Sequence, residues 1–308
     1  MNWSLFFDLT VSGLTLGSVY ALIALGYSMV YGILKLLNFA HGDVYMIGAF
    51  LGWFVLDGFG GPVSPSIGTW FVVVLMLLAS MLGCGVLGVV IERFAYRPLR
   101  NAPRIAPLIS ALGVSFFLQN TALLLFGANF RTYDSFDLIG TRSFHVGSLY
   151  AGTPQILAVA AAIGLMVVLT LFVARTQVGK AMRATSFDRE AAEMMGIDVD
   201  RVISVTFFLG SALAGAAGVM FGLVYGQIYS YMGFIAGLKG FTAAVIGGIG
   251  SIPGAMVGGL VVGLGESYST GYLPQGSTFQ NLYVFAFLIV AIVLRPSGLL
   301  GRAAVQKV

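Results

Sequence analysis

A chain of 308 residues that is 58% hydrophobic and only 9% charged, against roughly 25% charged in soluble proteins, is expected to be an all-α, polytopic membrane protein. The net charge of +4, with no basic cluster carrying interleaved aromatics, excludes a nucleic-acid face and reads instead as cytoplasmic-loop Arg and Lys. One cysteine, Cys84, excludes an intramolecular disulfide and a cysteine-built metal site.

Spans of ~20 residues with their connections leave room for about eight transmembrane helices, within a range of seven to ten. The first cation is Lys35 and no A-x-A-like site follows the apolar start, so the first span is expected to stay attached. Leu9 to Leu34 carries no charge and is long enough for a tilted span.

Next comes Leu36 to Gly48, LLNFAHGDVYMIG, which sets Asn38, His41, Gly42 and Asp43 into otherwise apolar sequence. Val44 to Leu56 alone would reach only ~20 Å, short of the roughly 30 Å hydrocarbon thickness, whereas counting from Leu36 gives a full span. A span running from Leu36 would hold an amide, an imidazole and a carboxylate at membrane depth. Such groups need protein, water or one another as partners and point to a translocation path or gate. The competing reading is a solvated turn between two spans, with Asp43 capping the following helix.

Asp57 to Gly68 is a Gly/Pro/Ser loop without a cation and is placed outside, and Thr69 to Ile91 returns inward. Glu92 to Arg104 concentrates Arg93, Arg97, Arg100 and Arg104 and marks the cytoplasmic side. Ile105 to Gly127 crosses outward with Ser110, Ser115, Gln119 and Asn120, read as interhelical hydrogen-bonding groups. Ala128 to Thr153, with Arg131, Asp134, Asp137, Arg142 and His145, reads as an external loop, and Pro154 to Ala174 crosses inward.

Residues 175–201 hold charges of both signs around helix-forming residues and read as an ordered cytoplasmic segment within one transmembrane domain covering 1–308. Val202 to Gly226 echoes the first span: LGSVYA at Leu16 against LGSALA at Leu209, and VYG at Val30 against VYG at Val224. The echo suggests an internal repeat of the kind transporters use. Phe241 to Gly263 is apolar but interrupted at Gly247, Gly248, Gly250, Pro253 and Gly254, and is expected to form a broken or re-entrant helix pair. Glu266 to Ser277 is placed outside, and Phe279 to Leu294 is the last span. Arg295, Arg302 and Lys307 hold the tail inside. Glycine numbers 42, about twice the usual ~7%, which suits close helix packing.

No G-x-x-x-x-G-K-[ST] motif occurs; around Gly179-Lys180 the first Gly is replaced by Ala174 and the Mg²⁺-binding hydroxyl by Ala181. There is no H-E-x-x-H, and His41 and His145 fall on opposite predicted sides, so a metal site is not expected. A Ser-His dyad of His41 with Ser18 or Ser211 has little support, because serines in transmembrane helices bond to backbone. An ion-coupled secondary transporter using Asp43 and His41 stays open as the rival.

The segments Thr15 to Phe50, IERFAYRPLR (Ile91 to Arg100), FTAAVIGGIGSIPGAMVGG (Phe241 to Gly259) and RPSGLLGR (Arg295 to Arg302) resemble, from end to end, the permease subunit of bacterial branched-chain amino acid ABC importers of the Liv type. The resemblance implies a multi-pass permease of the bacterial inner membrane, surrounded by membrane lipids. It also implies a homologous second permease, two cytoplasmic ATPase subunits carrying ATP and Mg, and a periplasmic substrate-binding protein. No cofactor, catalysis or nucleic acid is expected on this chain, and leucine, isoleucine or valine is the expected cargo, with urea, amides or other amino acids as alternatives. Glu190, Ala191 and Ala192 followed by Gly196 fit E-A-A-x-x-x-G, by which such permeases seat a coupling helix on the ATPase. Gly179 and Arg183 belong to the same segment. The downstream Ile-x-Leu-Pro is missing here.

Overall fold

The structure, a computed structural model, describes residues 3–58, 67–100, 102–103, 105–133, 143–146 and 149–301. Most of the loop 57–68, together with Arg104, Asp134, Asp137, Arg142, Arg302 and Lys307, lies outside them. The helices in chain order are α1 (Trp3–Leu34), α2 (His41–Gly58), α3 (Ile67–Ile91), α4 (Ile105–Phe126), α5 (Thr153–Arg175), α6 (Gln177–Phe187), α7 (Arg189–Met194), α8 (Val199–Tyr225), α9 (Met232–Gly247), α10 (Ile252–Tyr272) and α11 (Gln280–Leu294). A π turn, Glu92–Tyr96, and a 3₁₀ turn, Arg97–Leu99, extend α3. Two short antiparallel ribbons pair Arg131–Thr132 (β1) with Gln227–Ile228 (β4), and Ser143–Val146 (β2) with Leu149–Gly152 (β3).

Five stretches are long and apolar enough to cross a membrane: Trp3–Leu34, Trp70–Leu99, Ile105–Phe126, Thr153–Arg175 and Val199–Tyr225. This is a multi-pass membrane protein. Large apolar side chains such as Leu78, Leu82, Phe116, Phe117, Val168, Ile289 and Val293 stand on its outer surface, where hydrocarbon removes the cost that water would impose.

Packing reveals two halves. α1 packs on α10 as α8 packs on α3, α2 on α3 as α9 on α10, and α2 on α4 as α9 on α11. At the centre α1 meets α8 and α2 meets α9. The echo read between the first span and Val202 to Gly226 therefore falls on α1 and α8, which hold corresponding places.

The halves are inverted. α8 begins at the arginine-rich end, where Asp200 bonds Arg97 and Arg100. α1 finishes there, with Gly32 beside Gly250 in the turn before α10. In both halves the next helix starts inside the protein. His41, the first residue of α2, packs on Gly26, eight residues before the end of α1, which is about 12 Å along that helix. Gly233, in the first turn of α9, touches Gly42 and so lies at the same depth, although α8 ended at the opposite face.

Each descent is an irregular strip, 35–40 and 226–231, tolerable at membrane depth only where protein satisfies the backbone. Tyr96 Oη donates to the Leu37 carbonyl at 3.3 Å, and His41 N–H to the Asn38 carbonyl at 3.1 Å. In the second strip β4 pairs with β1, and Ser230 Oγ donates to the Gly127 carbonyl at 2.9 Å.

One expectation is corrected. The second span does not run as helix from Leu36, because α2 begins only at His41. The glycine-rich stretch Gly247 to Gly254, expected to interrupt a helix pair, lies between two helices. It is a tight turn: Gly247 ends α9, Gly248 (φ +107°) and Gly250 (φ +86°) make the bend, and Pro253 and Gly254 open α10 behind the Ser251 cap. Leu299 N–H and Leu300 N–H close the free carbonyls of Ile246 and Gly247, which a helix end otherwise leaves unpaired.

Candidate functional site

Asn38, His41 and Asp43 are 3%, 1% and 0% exposed, so none lines an open channel in this state. They belong to the central junction where α2 and α9 start. Ser115 Oγ donates to Asp43 Oδ2 at 2.5 Å, and Gln119 Nε2 to Ser115 Oγ at 3.1 Å. Ser115 is the eleventh of the 22 residues of α4, so this carboxylate sits halfway through that helix.

An isolated carboxylate at such depth is costly. Asp43 lies in the first turn of α2, and its Oδ1 is 2.8 Å from where a Cβ on Gly233, in the first turn of α9, would stand. Two helix N-termini, each worth about half a positive charge, thus converge on one carboxylate. Asp43 Oδ1 and His41 Nε2 have no hydrogen-bond partner within the described residues. The His41 ring stands edge-on to Tyr27 at 4.8 Å, and Asn38 Oδ1 accepts from Tyr96 Oη at 3.0 Å. Ser115 and Gln119, read as interhelical groups, make their bonds to α2 and within α4.

A second buried polar group was not legible in the sequence. Lys239, the eighth of the 16 residues of α9, donates through Nζ to Glu266 Oε1 of α10 at 2.6 Å, and Gln280 of α11 donates to the same oxygen. Glu266 is 1% exposed, so it belongs to the helix core and not to an external loop. The apolar residues on either side of a single Lys gave no signal of its partner 27 positions away.

The segment 175–201 forms two helices set outside the bundle. Thr176 Oγ1 accepts from Gly179 N–H at 3.0 Å and caps α6, and Asp188 Oδ1 accepts from Ala191 N–H at 3.1 Å and caps α7, as hydroxyl and carboxylate caps do. Gly179 is buried against the Val173 carbonyl, and Arg183 Nη1 donates to that same carbonyl. Ala192 is also buried, facing the permease, while Glu190 is exposed and Gly196 takes φ +81°. The outward residues are Phe187, Met194 and Met195, at 91%, 82% and 82% exposure. Three large apolar side chains thus stand exposed on an otherwise polar segment. Ala192, expected on the coupling surface, packs inward, whereas these three side chains face outward.

Comparison with known proteins bears on both features. The family described as branched-chain amino acid transport system / permease component matches residues 9–294. The high-affinity branched-chain amino acid transport system permease protein LivH of Salmonella typhimurium is 43% identical, covering 96% of this chain and 96% of the relative. Its counterpart BraD of Pseudomonas aeruginosa is 42% identical over 97% and 96%. LivM of Salmonella typhimurium, also a permease protein of that system, is 25% identical over 95% of this chain and 70% of the relative.

Proposed function

The chain belongs to the family of branched-chain amino acid transport system permease components, and from that premise we infer that it is the permease subunit of an ATP-driven importer for leucine, isoleucine or valine. It is a transport subunit and not an enzyme. The observation that carries this reading is the likeness to LivH and BraD along nearly the full length of both chains.

In the mechanism we propose, a loaded binding protein delivers substrate at the outer face of the inner membrane. Two ATPase subunits, which hold ATP and Mg²⁺, grip residues 177–194 at the cytoplasmic face. The existence of LivM, a second and related permease protein of the relatives' system, supports a homologous partner beside this chain, with the path between them. The inverted halves supply the moving parts: the opening turns of α2 and α9 pack backbone to backbone at Gly42, Gly233 and Gly237, so a small rotation of one half against the other parts them, as in repeat-built transporters. Asn38, His41 and Asp43 form the gate at that junction.

The test is uptake by the complete importer in proteoliposomes. Leucine uptake is expected to need ATP and the binding protein and to survive collapse of the proton gradient. Uptake that follows the gradient without ATP would favour an ion-coupled carrier and overturn the reading. A cysteine at Met195 should resist impermeant reagents in intact cells, since labelling from outside would put the docking surface beyond any ATPase.

A further inference from the structure

We propose that Arg100 is the joint that transmits movement of the coupling segment to the broken strip 35–40, and so to the gate. This rests on the reading of 177–194 as the ATPase-coupling segment.

On one side, Arg100 holds the start of α8. Its Nη1 donates to Asp200 Oδ1, and Arg97 Nη2 donates to Asp200 Oδ2. Asp200 stands in the first turn of α8, directly after Asp198 caps that helix by accepting from Arg201 N–H at 3.0 Å. α7 ends at Met194, with three residues between it and the Asp198 cap, so displacement of the docked helices reaches this turn through a short link.

On the other side, Arg100 Nη2 donates to Glu92 Oε1, whose second oxygen accepts from Ser204 Oγ of α8 at 2.9 Å. Glu92 opens the π turn, and Tyr96 closes it. Arg97 N–H bonds the Glu92 carbonyl five residues back, and Pro98, which has no N–H, stops the ladder from continuing. Such wide turns are rare inside helices and recur where a helix must adjust. Tyr96 is 1% exposed, its hydroxyl donates to Asn38 Oδ1, and its ring packs on Phe207 of α8 at 5.3 Å. One five-residue turn therefore carries Glu92, tied to α8, and Tyr96, tied to the strip that leads into His41 and Asp43.

The charges balance: Arg97 and Arg100 face Glu92 and Asp200, so the cluster has no surplus charge with which to attract an ion. Only the planar two-pronged guanidinium can engage Glu92 and Asp200 together, which a lysine ammonium cannot do with the same rigidity. Asp200 is 44% exposed while the Glu92 and Arg100 side chains are 1% and 7% exposed, so the linkage runs from the solvent side of the bundle inward.

The experiment uses the complete importer in proteoliposomes with variants R100K and Y96F. R100K is expected to assemble with an unchanged thermal midpoint and to hydrolyse ATP on stimulation by the binding protein, while uptake per ATP falls about five-fold or more, the lower range of an allosteric coupling. Y96F should show the same loss, and the double variant should be no worse than either single one. Unchanged uptake per ATP in R100K, additive losses in the double variant, or uptake, ATP hydrolysis and thermal midpoint falling in parallel would each overturn the proposal. Failure of the underlying reading shows separately, as a Met195→Cys variant that does not cross-link to the ATPase subunits.

Discussion

The carbonyl oxygen of Gly42 lies 2.7 Å from where a Cβ on Gly233 would stand, and the reverse approach, from the Gly233 carbonyl to Gly42, is closer still. Two helices that begin in the middle of the bundle are thus pressed backbone to backbone, with the Asp43 carboxylate beside both N-termini.

A methyl group at either glycine has no space to enter without moving backbone. Gly42→Ala or Gly233→Ala should lower stability by about 1–3 kcal/mol, as overpacking does, and impair uptake. Gly265→Ala, at a position with nothing within 4 Å, should leave the thermal midpoint unchanged. Equal effects at Gly265 and Gly42 would show that the junction is not tightly packed.

Lys239 and Glu266 are a closed pair away from solvent. Lys239→Met leaves a buried carboxylate uncompensated and should cost about 3–5 kcal/mol. Lys239→Met with Glu266→Gln removes both charges and should recover much of that loss, measured as a double-mutant cycle on unfolding of the purified protein. Additive losses would mean that the two groups act independently.

Phe187, Met194 and Met195 are almost wholly exposed. Serine at all three should leave permease stability within about 0.5 kcal/mol per site. It should weaken capture of the ATPase subunits by about 2 kcal/mol or more, the scale of interface hot spots. Unaltered capture would move the docking surface elsewhere.

Gly196 sits at φ +81° between α7 and α8. Alanine there should cost about 1–2 kcal/mol for the left-handed backbone, while asparagine, which visits that region, should cost less. The comparison reads out in thermal unfolding or in proteolysis of the segment 177–198. Identical costs would mean that backbone conformation is not what selects glycine.

Much of the architecture was legible because hydrocarbon imposes simple rules. Long apolar runs had to be helices, the Glu92 to Arg104 and 175–201 segments had to lie outside them, and the LGS and VYG echoes marked α1 and α8. The break before His41 was visible as a polar interruption. The break at 226–231, Gly-Gln-Ile-Tyr-Ser-Tyr, was not, because it carries no charge and its pairing partner, β1, lies far back in the chain. The inward turn of Ala192 was hidden for a similar reason: E-A-A names a pattern, but which face of α7 points outward depends on what the other face packs against.

The sequence by itself determined the class of molecule, its longest apolar runs, its charged segment and its family resemblance, since each follows from composition or from residues adjacent in the chain. Only the tertiary structure decided that α2 and α9 start at mid-depth and meet at Gly42 and Gly233, that Lys239 finds Glu266, and that Arg100 joins Glu92 to Asp200. These are contacts between residues distant in sequence, and their energy depends on separation and burial, which no local pattern encodes.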